Sequence, residues 1–491
     1  IFSEKFFLTS GILNATSSVP VYLGSLLFLF LEKSVISGRL TYAILNSLTP
    51  LFFYLILLKL TKNKTFSLIG FTVFNFSPWF SYLSSLSAID SPMAMLFYLV
   101  AFYILLTNIK PVYKYFLFFI FNFLSFNSYM GIKTIFFFLV LIALITEKIY
   151  KKEKYNIKML SKDVFISLII FIVSFLISWS APSSAHFQNR LKEKILPFNM
   201  SLIAKKVDSL REISRGPYFI RNLIHNKLTV AFSLFIEKYI QAFNPYLLFI
   251  KGDTHPIYGT NYFGLFYFFD MVFIFLGLLF FRKIFERNPF ISLPFILILI
   301  VAPLAVGIMI DPPSISLRSY LSIIGYVFFI TSGIYFIFNY FLKNKKLTIG
   351  ITVVIYLISF IYFFSLYQVT IKSSSGDQWH LNEKVLTDKI AAIRKKSERQ
   401  KVIIYVNEPQ PTFLLYLFYQ EKNPTLIKKL LMKKNYLIGN IRFSSDCPQE
   451  KIAGTIQIMH SGRCPVNEKV FSFKDFIPPE AVNGSRYYLL E

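Results

Sequence analysis

Two cysteines, five histidines and three tryptophans are spread over 491 residues. That scarcity excludes a disulfide-stapled secreted scaffold, and the two cysteines with a distant His460 lack the ligand spacing of a structural zinc site. Nucleotide-driven transport and the common hydrolase plans have no support either: there is no P-loop, no GxGxxG following a strand and no GxSxG elbow. Charge is equally thin, 16% of the chain against 55% hydrophobic and 19% aromatic residues, with 58 Phe and 30 Tyr. So little polar surface excludes soluble enzymes and nucleic-acid modules. Acid is the scarcer sign: 26 Asp+Glu face 52 Lys+Arg, a net charge of +26. In an apolar chain the first question about that excess is which side of a membrane each charge occupies.

What is abundant is apolar sequence in runs near the length that crosses ~30 Å of hydrocarbon, which predicts a polytopic α-helical membrane protein. About ten spans are expected, over residues 40–59, 66–83, 92–108, 115–128, 132–146, 164–181, 265–281, 289–310, 319–341 and 347–366. The run Val21 to Leu31 is shorter and suits an interfacial piece. Alternate loops differ sharply in charge. One set carries Lys59, Lys62, Lys64, Lys110, Lys114, the six lysines from Lys148 to Lys162, Arg282, Lys283, Arg287, Lys343, Lys345 and Lys346, while the short loops opposite hold only Arg318. The positive-inside rule makes the first set cytoplasmic. These loops account for half of the excess charge, and the rest falls outside, in residues 182–264 and the tail.

The expected organisation is therefore a remnant of a first outer loop (1–39), a block of about six spans (40–181), a basic outer loop (182–264), a block of about four spans (265–366) and an extracytoplasmic α/β domain (367–491). Because the span count is even and the chain starts at Ile1, a preceding helix from a cytoplasmic N-terminus is expected. In the outer loop, stretches such as Leu191 to Leu210 read as amphipathic helices on the membrane surface. In the tail, Asn382 to Gln400 is helix-like, Val402 to Val406 strand-like, Pro411 opens a helix through Gln420, and Thr455 to Met459 suggests a strand. Cys447 and Cys464 lie in this tail, either as free thiols or as a bridge worth about 3 kcal/mol for such a loop.

Few polar groups stand near the outer ends of the spans. Asp90, in Ser87-Ala88-Ile89-Asp90-Ser91-Pro92-Met93, is a functional candidate because an ionisable group beside the bilayer is costly; the alternative is a helix N-cap ahead of Pro92. Lys133 at the next outer turn could bind phosphate or snorkel to the interface. Arg318 departs from the charge bias of its loop, suggesting an anion, with a surface pair to Asp311 as the alternative. The segment Lys251 to Gly259 packs turn formers around Asp253 and His255 directly before a span, the pattern of a constrained site loop. Asp270, just inside that span, is either capped by neighbours or faces a polar cavity.

Several of these segments resemble those of GT-C membrane glycosyltransferases of the family 39, protein-mannosyltransferase-like group. Phe76-Ser77-Pro78-Trp79 followed by Ala88 to Met93 is similar to the family's outer turn, and Val19-Pro20-Val21-Tyr22 with Gly38-Arg39-Leu40 to the segment closing its first outer loop. Ser128-Tyr129 with Lys133, Gly252-Asp253 through Gly264-Leu265-Phe266-Tyr267 to Asp270, and Arg318-Ser319-Tyr320-Leu321 resemble later motifs in the same order. The tail from Pro411 to Pro424 resembles the outer domain of bacterial members, in keeping with a Lys-, Ile-, Phe- and Asn-rich composition. The resemblance implies a multi-pass cell-membrane enzyme. It would transfer a sugar from a polyprenyl-phosphate carrier to a glycan, lipid or protein acceptor on the outer face, with inversion and no nucleic-acid partner. By this resemblance Asp90 matches the family's second acidic position. Lys133, Arg318 and His255 would hold the donor phosphate, with Tyr129, Asp253 and Asp270 in support. The principal base is expected upstream of Ile1. Leu86 and Ser18 stand where the family has Arg and Lys. No cofactor is implied, and a divalent metal is left open without a ligand motif. A lipid-linked glycan transporter and a non-catalytic membrane scaffold are the alternatives.

Overall fold

The computed structural model describes residues 18–27, 30, 35–85, 90–151, 156–179, 200–255, 258–286, 289–309, 314–341, 345–371, 381–397, 399–407, 409–420, 430, 436–448, 450–460, 473–476 and 487–490. Readings that fall on Leu86 to Ile89, on 180–199, on Asp311 to Pro313 and on Cys464 lie outside the described residues. The chain divides into two units, Ile1–Phe363 and Phe364–Glu491.

The first unit is helical, and each of the ten segments read as a span contains helix. Four helical stretches are long and apolar enough to cross a membrane: Tyr42–Thr61, Ile157–Ser178, Phe290–Gly307 and Ile349–Thr370. Ser91–Leu105 and Ser322–Phe338 are shorter apolar helices. Proline interrupts two of the expected runs. Residues 66–83 become Lys64–Phe76 and Pro78–Ser85, and residues 289–310 become Leu293–Val301 and Leu304–Gly307, because Pro78 and Pro303 lack the amide proton that would continue the ladder.

Local chemistry sets the hairpins between helices. Lys62 adopts a left-handed conformation (φ 54°) that closes Thr49–Thr61, and Asn63 then caps Lys64–Phe76 by accepting from the Phe66 amide at 3.1 Å. The Asn63 amide also donates to the Tyr335 hydroxyl at 2.8 Å, tying this hairpin to Ser322–Phe341. Ser322–Phe341 packs along Asp270–Ile284 through two glycines. A Cβ on Gly277 would lie 2.0 Å from the Phe329 carbonyl oxygen, and one on Gly333 would lie 2.1 Å from that of Phe273. The close approach of two backbones is the packing mode available where lipid replaces water and only small residues let helices touch.

A charge cluster joins Pro111–Ser128 to Phe136–Tyr150. Lys114 is paired with the fully buried Glu147 at 3.3 Å, Lys151 reaches the same carboxylate at 2.8 Å, and the Tyr115 hydroxyl donates to it at 3.2 Å. Lys114, counted from the sequence among the charges of the loops, is 5% exposed. Replacing Glu147 with Gln should lower stability by about 2 kcal/mol, since a buried ammonium loses a charged acceptor. Chemical denaturation in detergent measures it, and an unchanged midpoint would contradict a buried pair.

The second unit carries a six-stranded sheet in the order β2-β3-β1-β4-β6-β5. Its strands are β1 (Lys401–Tyr405), β2 (Leu437–Ile438), β3 (Ile441–Ser444), β4 (Thr455–His460), β5 (Phe473–Asp475) and β6 (Tyr487–Leu490). β1 pairs parallel with β3 and β4, while β2, β5 and β6 add antiparallel edges. Helices Leu381–Lys396 and Pro409–Tyr419 cover it, and Leu386, Ile390, Phe413 and Leu417 meet Val402, Ile404, Ile441 and Ile458 in one core. Cys447 is disulfide-bonded, so of the two readings for this cysteine the bridge is what the structure has.

Candidate functional site

The turn that carries Arg318 is fixed from two directions. Ser314 caps the four-residue helix Ile315–Arg318, its hydroxyl accepting from the Leu317 amide at 3.1 Å. A single buried oxygen, Oδ2 of Asp253, then accepts from the Ser314 hydroxyl (2.6 Å), the Ser316 amide (2.8 Å) and the Ser316 hydroxyl (2.9 Å). Its other oxygen accepts from the His255 amide at 2.9 Å. Such saturation makes Asp253 a positioning group, with the Arg318 turn as what it positions. From the opposite direction the Trp79 indole donates to the Ser316 carbonyl at 3.1 Å, and the Trp79 amide donates to Leu265 at 2.9 Å. The Ser77-Pro78-Trp79 corner thereby holds both the Arg318 turn and the segment leading into Asp270–Ile284.

The loop supplying Asp253 is as constrained as its turn formers suggest. Gly252 has φ +74°, and a Cβ on Gly259 would lie 1.9 Å from the Asp253 carbonyl oxygen, so the coil closes only with glycine there. The Gly259 amide donates to His255 and the Asn261 amide to Asp253, at 2.8 and 3.1 Å.

Asp90 occupies the N-cap position of Ser91–Leu105, and its carbonyl accepts from the Ala94 amide at 3.0 Å. Its side chain makes no capping bond, and its backbone is helical (φ −83°, ψ −21°) rather than extended. Local capping therefore does not occupy the carboxylate. It acts electrostatically on the Tyr42 and Tyr129 phenols. Tyr129 is the extended residue ending Pro111–Ser128, folded back so that a Cβ on Gly131 would meet its ring at 2.4 Å.

Tyr129 is where the separate segments converge. Burial pushes its pKa up to about 12; the Arg318 charge opposes that shift, and Tyr258 and Asp90 add to it. The phenol is thus a neutral donor at physiological pH, with a carboxylate and a guanidinium both in electrostatic range. Among the described residues neither the Tyr129 hydroxyl nor Nε of Arg318 finds a hydrogen-bond partner. Each such donor has room in its bonding for a ligand or water, a state these two share with other buried hydroxyls such as those of Tyr320 and Tyr326.

Tyr258 has no sequence signature and enters through geometry alone, its ring stacked on His255 at 4.5 Å. His255 Nδ1 accepts from the Tyr258 amide at 3.3 Å, which leaves the proton of the neutral ring on Nε2. Burial lowers the His255 pKa from its ordinary 6.5, with Asp253 opposing. The ring is accordingly a neutral donor and not a permanent cation. Since the folded value lies below the unfolded one, its contribution to stability is complete above about pH 6.5 and is lost as pH falls through the folded value. Melting curves on acidification below that pH should show a decline that His255→Gln flattens.

Lys133, in the 3-10 turn Gly131–Thr134, places its ammonium 5.0 Å from the Phe126 ring centroid, a cation over an aromatic face one turn from Tyr129. Asp270 is fully buried at the start of its helix. One oxygen accepts from the Tyr267 amide at 3.0 Å and the other from the Tyr356 hydroxyl. Of the two readings for Asp270, capping by neighbours is what the structure has. Asp90, Tyr258 and Arg318 thus lie within electrostatic range of Tyr129, Asp253 and His255 are joined to the Arg318 turn through Ser316 and Tyr258, and Asp270 serves a separate helix start. Among the described residues no group of three or more His, Cys, Asp or Glu could hold a metal ion.

No family model matches the chain, and no curated protein matches it. Among solved structures it is similar to the archaeal oligosaccharyltransferase AglB from Archaeoglobus fulgidus, solved in complex with an inhibitory peptide and a dolichol-phosphate. The TM-score is 0.44 at 14% identity, over 82% of this chain and 56% of that one, so the chain spans little more than half of that protein's length.

Proposed function

We propose that the protein is a membrane glycosyltransferase of the GT-C type, moving a sugar from a polyprenyl-phosphate carrier to an acceptor hydroxyl on the outer face with inversion. The observation that carries this reading is that Asp90 and Arg318 both lie within electrostatic range of the Tyr129 phenol, while the Tyr129 hydroxyl and Nε of Arg318 find no hydrogen-bond partner among the described residues. In such a transfer the bond from anomeric carbon to phosphate oxygen breaks as the acceptor oxygen attacks, and negative charge grows on the departing lipid phosphate. A fixed guanidinium and a neutral phenol stabilise that charge in a site of low dielectric. Lys133, one turn away, adds a second cation for the same phosphate, and neutral His255 can donate from Nε2. A carboxylate must take the acceptor proton. Asp90, which matches the second acidic position in the family resemblance, is the acid this cluster offers for that role. The order of the motifs along the chain supports the same class and its protein-mannosyltransferase-like subgroup, and the Lys-, Ile-, Phe- and Asn-rich composition supports a bacterial source.

The test offers the full-length protein, in detergent, undecaprenyl-phosphate mannose labelled in the sugar. Labelled product formed with release of undecaprenyl phosphate is expected, and Asp90→Asn should slow it. Uptake of the labelled lipid into proteoliposomes with no covalent product would instead identify a transporter and overturn the proposal.

A further inference from the structure

Between the helices Met200–Ile213 and Lys227–Gln241 the chain makes a compact turn containing the short helix Tyr218–Ile224. Hydrogen bonds hold it: Nε of Arg211 donates to His225 O at 2.7 Å, Nη1 of Arg221 donates to Arg211 O at 3.2 Å, and the Ser214 hydroxyl pairs with Nε2 of His225 at 2.9 Å. Asn226 and Thr229 form a reciprocal capping box at the start of the next helix. The two long helices pack through Ile203, Val207, Val230 and Leu234. The side chains left outside this interior are large and apolar. Ile213, Tyr218, Phe219 and Leu228 are 73%, 73%, 74% and 80% exposed. An ordered turn presenting such a cluster marks an interaction surface and not a solvated tip.

Continuity with a membrane span selects the occupant. From the tip an exposed stripe runs down the second helix through Leu228, Phe232 and Ile240. At its lower end the Tyr239 hydroxyl donates to Ile300 O at 3.0 Å and the Lys238 ammonium to Met309 O at 2.9 Å, so this helix lies on the apolar stretch Phe290–Gly307. Ile300 is itself 48% exposed on that stretch. The Phe235 backbone lies beside Gly307, the last residue of that stretch, where a Cβ would stand 3.2 Å from the Phe235 carbonyl oxygen. At 1.5 Å per residue, Leu228 stands about 10 Å along its helix from Phe235, a distance comparable to the headgroup layer that flanks the hydrocarbon. The charge of the tip fits that layer: residues 211–228 hold Arg211, Arg215, Arg221 and Lys227 against Glu212 alone, and Arg215 and Lys227 are exposed.

We propose that this tip is a membrane-seated wedge, with Tyr218, Phe219 and Leu228 in the interfacial layer of the bilayer and Arg215 and Lys227 meeting anionic headgroups. It does not depend on the transferase reading, since it concerns a surface remote from the Asp90 cluster in sequence and uses none of its residues.

Phe219→Cys, labelled with bimane, tests it in proteoliposomes of phosphatidylcholine and phosphatidylglycerol; among the described residues no native cysteine is free to take the label. The expected result is several-fold stronger quenching by a lipid carrying a nitroxide near the top of its acyl chain than by aqueous iodide, weakening when phosphatidylglycerol is omitted. Quenching by iodide and not by the nitroxide lipid would overturn the proposal. So would shielding from both quenchers, which would show that a second copy or another part of this chain covers the tip.

Discussion

Replacing Arg318 with alanine should reduce transfer from the lipid-linked sugar by about a hundredfold to a thousandfold, the range observed when one charge-stabilising donor is removed from an enzyme site. The loss should fall mainly on kcat, because the guanidinium meets most of its charge only as the phosphate departs. Folding should change little. Nε of Arg318 has no hydrogen-bond partner among the described residues, so truncation breaks no bond at that atom. Arg318→Lys should recover only part of the activity, since an ammonium replaces the charge without the planar set of donors. Rates measured for the wild type and both variants, alongside their melting temperatures, separate a site residue from a structural one. Equal turnover in Arg318→Ala would remove the residue from the site.

Asp253→Ala should have the largest effect on stability, about 3–5 kcal/mol, because four donors that converge on one buried carboxylate lose their acceptor together. Those donors are the Ser314 hydroxyl, the Ser316 amide, the Ser316 hydroxyl and the His255 amide. Activity should fall as well, by a different route from Arg318→Ala. The cap on Ile315–Arg318 loosens, and the guanidinium is presented in many orientations where the native turn allows one. Asp253→Asn keeps the volume and one acceptor but points amide protons at groups that are themselves donors, so it should recover less than half of the lost stability. Denaturant midpoints measure the ladder from Asp through Asn to Ala. A midpoint for Asp253→Ala equal to that of the wild type would mean that the Ser314–Ser316 turn is held by other contacts.

The parts of this arrangement that could be read from the sequence are those where composition is sparse. Asp90 and Arg318 stand out because charges are few in the short outer loops, and the turn formers between Lys251 and Gly259 announce a coil that the glycine geometry bears. Tyr129 emerged only beside a motif resemblance. Tyr258 was hidden among 30 tyrosines, and nothing in its spacing distinguishes a site tyrosine from a packing one. Trp79 was read as part of a motif, but its indole bond to Ser316 joins residues 237 positions apart and leaves no local trace. The same holds for Lys114 and Glu147, whose pairing across 33 positions converts what looked like a topology signal into a buried contact.

Helix positions were legible as apolar runs, but a hydropathy reading bridges interruptions that the backbone does not. Pro78 and Pro303 break helices within runs of uniform apolarity. In the tail, β1 and β4 carry enough β-branched residues to be seen, whereas β2, β5 and β6 are two to four residues long. Strands that short are defined by their neighbours in the sheet, with no period of their own to detect.

The central claim is that the open donors around Tyr129 hold a lipid-linked phosphate. The direct measurement is the melting temperature of the full chain in detergent, titrated with undecaprenyl phosphate and, in parallel, with undecaprenol that lacks the phosphate. A ligand that binds only the folded state raises stability with its concentration. The account predicts a saturable rise for the wild type with the phosphate alone, strongly reduced in Arg318→Ala. Equal rises in wild type and Arg318→Ala, or with undecaprenol as with its phosphate, would contradict it.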